Sequence, residues 1–295
     1  MKHALPALLS LFLVVFISGC TIPYFPTPAP ATGNGVVIVD FEPELNTLYS
    51  EESTNFLVKI KNMGSFIADG EVRMDLGEWG EECMTRQTKE FTDLLAPDPE
   101  RGTEGEERVF SWRCSAPGIE EGLHIPYNPR AVVKYAYKTI TSQSVTLLPT
   151  AELIALRNSG NSLPSEMESA SQSPVSIDVQ VNAPIRLRED TNSVEFPVTI
   201  KVNNVGGGIV EGSIVRMDID VEGLDVLHTQ ECYDNGEAMN LWRGTSQTIT
   251  CKMSANNVPA MTQARIVVTA EYDYSVMATT HIEVIGDVGV DRLPF

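Results

Sequence analysis

Phe56-Leu-Val-Lys-Ile-Lys-Asn-Met-Gly64 and Val198-Thr-Ile-Lys-Val-Asn-Asn-Val-Gly206 are two copies of one pattern. The first runs on through Gly70 to Arg73-Met-Asp75, the second through Gly212 to Arg216-Met-Asp218. Phe56, Val58 and Ile60, like Val198, Ile200 and Val202, alternate with polar residues, the period of a half-buried strand. The Asn-x-Gly that follows suits a turn, because both residue types tolerate the left-handed backbone region. Downstream the copies stay in step. Cys114 precedes Tyr135-Ala-Tyr137 by the interval at which Cys251 precedes Tyr272-Asp-Tyr274, and Val145 and Ile282 then fall at matching places. Two tandem β-domains of common ancestry are the expectation.

Outward from the first copy, strand character is read at Val36–Phe41, Arg108–Cys114, Ala131–Tyr137 and Gln143–Leu148. Around the second it is read at Val175–Val181, Val194–Val202, Ile209–Asp220, Gln247–Cys251, Ala264–Tyr274 and Thr280–Ile285, with Asp234-Asn-Gly236 as a tight turn. About seven short strands per half, with turn residues between them, predict two immunoglobulin-like β-sandwich domains, 36–149 and 175–286. Gly77–Glu107 reads as acidic and irregular. Thr150 is expected to cap a short helical turn through Leu156. The Ser-rich stretch Ser162–Ser173 completes a flexible linker over 150–174. Residues 287–295 form a short tail.

Ahead of the first domain, the basic start Lys2-His3 leads into the apolar run Ala4–Phe16 and then Ile17-Ser18-Gly19-Cys20. A branched apolar residue, two small residues and a cysteine make a lipobox, with Cys20 as the lipidation site. The run is short of the ~20 residues of a comfortable span. An uncleaved signal anchor is the alternative, and either way the remainder lies outside the cytoplasm. Residues 21–35, with Pro23, Pro26, Pro28 and Pro30, form an extended tether.

With 21 Lys and Arg against 40 Asp and Glu, the net charge of -19 excludes a nucleic-acid partner and electrostatic docking on anionic lipid. Beyond Cys20 the cysteines fall two per domain, and of the three ways to pair four, the repeat selects Cys83–Cys114 and Cys232–Cys251. Outside the cell these are disulfides, each contributing ~3–4 kcal/mol by loop-closure entropy. His3, His124, His228 and His281 are scattered, with no His-Glu-x-x-His, and Gly206-Gly-Gly208 lacks the Lys-Ser/Thr of a phosphate loop. No nucleophile elbow is present. Asp98, Glu100, Glu104 and Glu106, on a Gly-punctuated loop, are the candidate hard-oxygen ligands for calcium, against the plainer reading of a solvated acidic loop. Tyr135 and Tyr137, and Tyr272 and Tyr274, share a strand face in pairs. Packing with a hydrogen-bonded hydroxyl is their expected role.

The Lys-x-x-Asn-x-Gly turn after an alternating strand, at Lys59–Gly70 and Lys201–Gly212, resembles the CARDB (cell-adhesion-related) family. The layout is similar to that of archaeal surface lipoproteins that carry such domains in pairs. The resemblance implies a seven-stranded immunoglobulin-like sandwich on a cell surface, and it supplies no catalytic residue. The expected function is a membrane-anchored, extracytoplasmic, non-catalytic binding, adhesion or spacer module. Its partners would be the membrane through the lipid and other surface or envelope components. The alternative is a calcium- or glycan-dependent ligand-binding lipoprotein.

Overall fold

The computed structural model describes residues 34–79, 88–187, 193–222, 226–228, 241, 245–256, 258 and 260–286. The first repeat holds β1 (Val36–Pro43), β2 (Thr47–Tyr49), β3 (Ser53–Asn62), β4 (Ala68–Asp75), β5 (Thr88–Leu94), β6 (Glu107–Ser115), β7 (His124–Tyr127) and β8 (Arg130–Pro149). Helix α1 (Thr150–Ser159) and β9 (Glu168–Ala170) lead to the second repeat. This holds β10 (Val175–Val181), β11 (Ile185–Leu187), β12 (Ser193–Asn204), β13 (Ile209–Glu222), β14 (Val226–His228), β15 (Ser246–Asn256), β16 (Thr262–Thr279) and β17 (Ile282–Ile285). The expected all-β class holds, with one α-helix among the described residues, and among those residues no helix is long and apolar enough to cross a membrane.

Alternation builds the sheets. In β3, Phe56, Val58 and Ile60 are fully buried while Lys59 and Lys61 point outward. In β8, Ala131, Val133, Tyr135, Tyr137, Thr139 and Thr141 all turn inward. The central sheet runs β13-β16-β8-β4-β5, flanked by the smaller sheets β1-β3-β6 and β10-β12-β15-β14. Their inner faces share one continuous apolar core.

The spine of the molecule is an antiparallel ribbon made from the same strand of each repeat. Arg130 faces Thr279, Tyr137 faces Tyr272, and Leu147 faces Thr262. Past a break the same register resumes, with Tyr127 facing Ile282 and His124 facing Ile285. At ~3.4 Å per residue this is about 80 Å of paired contour. Ala136 faces Asp273, its own counterpart in the second repeat, so a pseudo-twofold axis passes between them.

The ribbon makes each half finish the other. β17, from the second repeat, lies between β2 (parallel) and β7 (antiparallel) of the first. The end of β8, from the first repeat, lies parallel to β11 of the second, with Leu147 opposite Ile185. The described residues of both repeats accordingly form one compact unit. Two separable beads on a string are not what the chain makes, because each lacks a strand that only the other supplies.

Several local expectations change in consequence. The strands expected at Ala131–Tyr137 and Gln143–Leu148 are one continuous strand. The supposed flexible stretch contains β9, paired to β8 at Thr141–Gln143. Its Gln172 exchanges hydrogen bonds with Ser65, the Gln172 carbonyl accepting from the Ser65 amide (2.9 Å) and the Gln172 amide donating to the Ser65 hydroxyl (2.8 Å). The helix continues to Ser159 and stops at Gly160 in the left-handed conformation (φ 73°). Thr150 does not cap it; Pro149 stands at the N-cap, and the Thr150 hydroxyl donates to the Leu187 carbonyl (3.0 Å). The acidic stretch contains a 3-10 turn, Gly77–Trp79, and β5.

Candidate functional site at the repeat axis

The Asn-x-Gly motif that defines the repeat is a structural clasp. Asn62 is fully buried, and its amide donates to the carbonyls of Phe66 (2.7 Å) and Leu94 (2.9 Å). Its Oδ1 accepts from the Gly64 amide (3.1 Å). Asn204 repeats the bond, donating to the Gly208 carbonyl (3.1 Å). A tyrosine of the ribbon completes each clasp. The Tyr137 hydroxyl accepts from the Phe66 amide (3.1 Å), and the Tyr274 hydroxyl from the Gly208 amide (3.0 Å). The glycines at 64 and 206 are required by this approach, since a Cβ at either would run into the tyrosine hydroxyl. The turn is thus tied to the strand that carries the axis.

Four tyrosine rings meet there, with Tyr135 5.6 Å from Tyr137 and 5.8 Å from Tyr274 between centroids. The Tyr272 hydroxyl lies 2.8 Å from that of Thr139, so three of the four carry the hydrogen bond expected of them. The exception is Tyr135, buried and, apart from the Val36 amide beside it, without a polar partner among the described residues. The repeat explains it: the counterpart of Thr139 is Val276, which offers no hydroxyl. Val276→Thr is therefore expected to stabilise the protein by about 0.5–1.5 kcal/mol. Thermal melting checks this; an unchanged or lower midpoint would show that the new hydroxyl does not reach Tyr135.

Burial pushes the Tyr137 hydroxyl up to about 12 and those of Tyr135 and Tyr272 well above the usual tyrosine value. A group that holds its proton more tightly folded than unfolded adds stability that is intact below the unfolded pKa. That stability is lost as pH rises through the folded pKa. Alkaline unfolding is thus expected between about pH 10 and 12, and phenolate absorbance should rise together with loss of the β circular-dichroism signal. Tyrosines that ionise near pH 10 before any unfolding would contradict the burial.

Beside this cluster lies a groove of about 450 Å³ that includes Phe66, Asp69, Tyr137, Lys138, Tyr272 and Asp273 in its lining. The Lys138 ammonium sits 4.6 Å from the centre of the Phe66 ring, a cation–π contact. Across the axis the corresponding residues are Gly208 and Ser275. There, Glu211 instead pairs with Lys134 at 3.6 Å. The ring and the ammonium are therefore not demanded by the fold, which is built without them in the second repeat. Comparing the copies position by position is the signal that marks Phe66 and Lys138; motif reading passes them over.

The calcium candidates do not converge. Asp98 Oδ1 accepts from the amides of Glu100 (3.0 Å) and Arg101 (3.2 Å), closing a small loop whose base is the Asp98–Thr103 bridge. Glu104 pairs with Lys61 at 2.5 Å, and its hydrogen bond, with that of Glu107, raises the lysine above its usual value. Glu106 binds Arg108 (2.7 Å) and the Leu95 amide (3.0 Å), which hold it below the usual carboxylate range. Among the described residues no group of three or more His, Cys, Asp or Glu side chains is arranged to hold a metal ion.

Cys114 and Cys251 occupy equivalent buried positions on β6 and β15. Cys20, Cys83, Cys232 and the turn at Asp234–Gly236 lie outside the described residues. His281 falls between strands, its Nδ1 3.2 Å from Asn128 Oδ1, and His124 Nδ1 is 3.1 Å from Glu283. Set against known proteins, the chain matches no protein-family model and no curated protein.

Proposed function

We propose that this chain is a lipid-anchored, extracytoplasmic surface protein that works without catalysis, as a stiff spacer and binding module. It would be built from two immunoglobulin-like, CARDB-like repeats. The observation that carries the reading is the reciprocal strand exchange along the ribbon. Two copies of one sandwich unit locked into a single body suit holding a binding face at a fixed distance from a membrane. The Pro-rich tether over residues 21–35 would set that distance, and Cys20 would carry the lipid. Disulfides Cys83–Cys114 and Cys232–Cys251 would brace the two halves outside the cell. The groove at Phe66 and Lys138 is the face proposed for binding, since it departs from the internal symmetry without a structural need.

The test is direct. Mass spectrometry of the membrane fraction should find a lipid-modified Cys20 at the N-terminus, and non-reducing peptide maps should find both intradomain disulfides. An intact Met1 would overturn the lipid anchor, and cross-domain pairs the two-unit bracing. Capture of envelope proteins by the intact protein should weaken with Phe66→Gly, which copies the second repeat and leaves the charge unchanged. Equal capture by the variant would remove the groove from the reading.

A further inference from the structure

The slot between β2 and β7 receives a strand by means that any correctly alternating strand could satisfy. Main-chain bonds hold β17 on both sides. The Glu283 amide donates to the Asn46 carbonyl (3.0 Å), the Ser50 amide to the Ile285 carbonyl (2.9 Å), and the Gly286 amide to the Leu123 carbonyl (2.8 Å). Side chains add two buried anchors, Ile282 and Val284, and one exposed contact, Glu283 Oε1 at 3.1 Å from His124 Nδ1. Glu283 and Ile285 are turned the other way, partly exposed. This is strand addition to an open sheet, with the added strand supplied by the same chain.

The join between this strand and the spine differs between the two ends of the ribbon. Where β16 passes to β17, Thr280 and His281 lie outside the strands, opposite Asn128 and Pro129, which lie outside β7 and β8. Proline has no amide hydrogen to give a ladder, so the pairing is interrupted there. One bond survives, from the Thr280 amide to the Pro129 carbonyl (3.1 Å). At the other end the corresponding residues, Gln143 and Ile266, face each other within unbroken strands. One exchanged strand is welded to the spine; the other is hinged.

We propose that β17 also exchanges between molecules, each of two copies placing its β17 in the other's β2–β7 slot to form a reciprocal twofold dimer. The occupant is a second copy because the contact already exists within the chain. The same strand, in the same register and with the same two buried side chains, fills the same slot. Only the backbone at Thr280–His281 must change direction, the low-cost route of domain swapping. The proposal rests on the topology alone and is independent of the lipid anchor and of the groove.

Two variants of the full chain, each with one cysteine added to the five native ones, test it, the linked positions being read by peptide mapping. His124 and Ile285 face each other across β7 and β17. Molecules carrying only His124→Cys are unfolded in urea together with molecules carrying only Ile285→Cys, refolded at rising concentration, and oxidised. A disulfide between positions 124 and 285 of different molecules can form only if a β17 has crossed. Its yield is expected to rise at least several-fold over a tenfold rise in concentration. The double variant in one chain, kept dilute, should close the same bond within the monomer. Light scattering of the unaltered protein after the same refolding reads the exchange without the added cysteines and should show a dimer that grows with concentration. Monomer at every concentration overturns the proposal. A dimer without the 124–285 bond, when the double variant does close, overturns it equally, because the copies then meet through another face.

Discussion

Asn62→Ala is expected to lower the folding stability by about 3–5 kcal/mol, a large share of the ~5–15 kcal/mol of an ordinary domain. The substitution strands three groups at once: the buried carbonyl of Leu94 and amide of Gly64, and the part-buried carbonyl of Phe66. An unsatisfied buried polar group costs roughly 1–3 kcal/mol, and the turn that carries Phe66 would also lose its hold on the Tyr137 hydroxyl. Asn62→Asp separates the contributions. It keeps the acceptor for Gly64 but has no amide to donate, so it is expected to cost nearly as much as alanine. Urea unfolding of both variants measures this. A loss under 1 kcal/mol for alanine would mean that water replaces the clasp. Asn204→Ala should behave alike, since the same amide serves the Gly208 carbonyl and its Oδ1 accepts the Tyr274 hydroxyl (2.8 Å).

The second large effect comes from ending the chain at Thr279. Ile282 and Val284 leave the core, at ~1.5–3 kcal/mol each, and their neighbours Tyr127 and Leu48 on the flanking strands are exposed, roughly 5 kcal/mol or more in all. The damage falls on the first repeat although the deletion is in the second. The intact protein should accordingly melt in one cooperative transition. Cleavage between residues 162 and 167 should leave two pieces that stay associated without denaturant. Two calorimetric transitions, or pieces that separate and melt at their original temperatures, would contradict the shared spine. A truncated chain whose first repeat melts unchanged would do so as well.

Much of this was legible in the sequence, for a physical reason. Alternation reports burial directly, so β3, β6, β10, β12 and β15 follow from residues such as Phe56, Val58 and Ile60, or Val198, Ile200 and Val202. The alignment of Tyr135 and Tyr137 with Tyr272 and Tyr274 already contained the axis. Its meaning was hidden because alternation fixes which face of a strand is buried and says nothing of which strand lies beside it. The same ambiguity concealed the exchange: Val145 and Ile282 look like final strands of their own domains, yet each completes the other half. β2, β9 and β11 are three residues each, too short for a period to register. Ser171 and Ser173 read as linker by composition, but their hydroxyls are spent on Ile140 and Thr139. The groove escaped because it gathers residues 66, 67, 69, 136–138 and 271–273 from separate strands and turns.

The antiparallel ribbon also decides how the protein meets mechanical load. Its two strands run along the same line, so a pull that draws the two halves apart lengthwise acts as shear. Every rung from Arg130–Thr279 to Leu147–Thr262 then resists together. A pull across the ribbon would open the rungs one at a time from an end. Held at one end of the spine and loaded at the other, the protein would meet stretching in its strong direction, and under increasing tension the hinged strand at Thr280–His281 would yield before the spine.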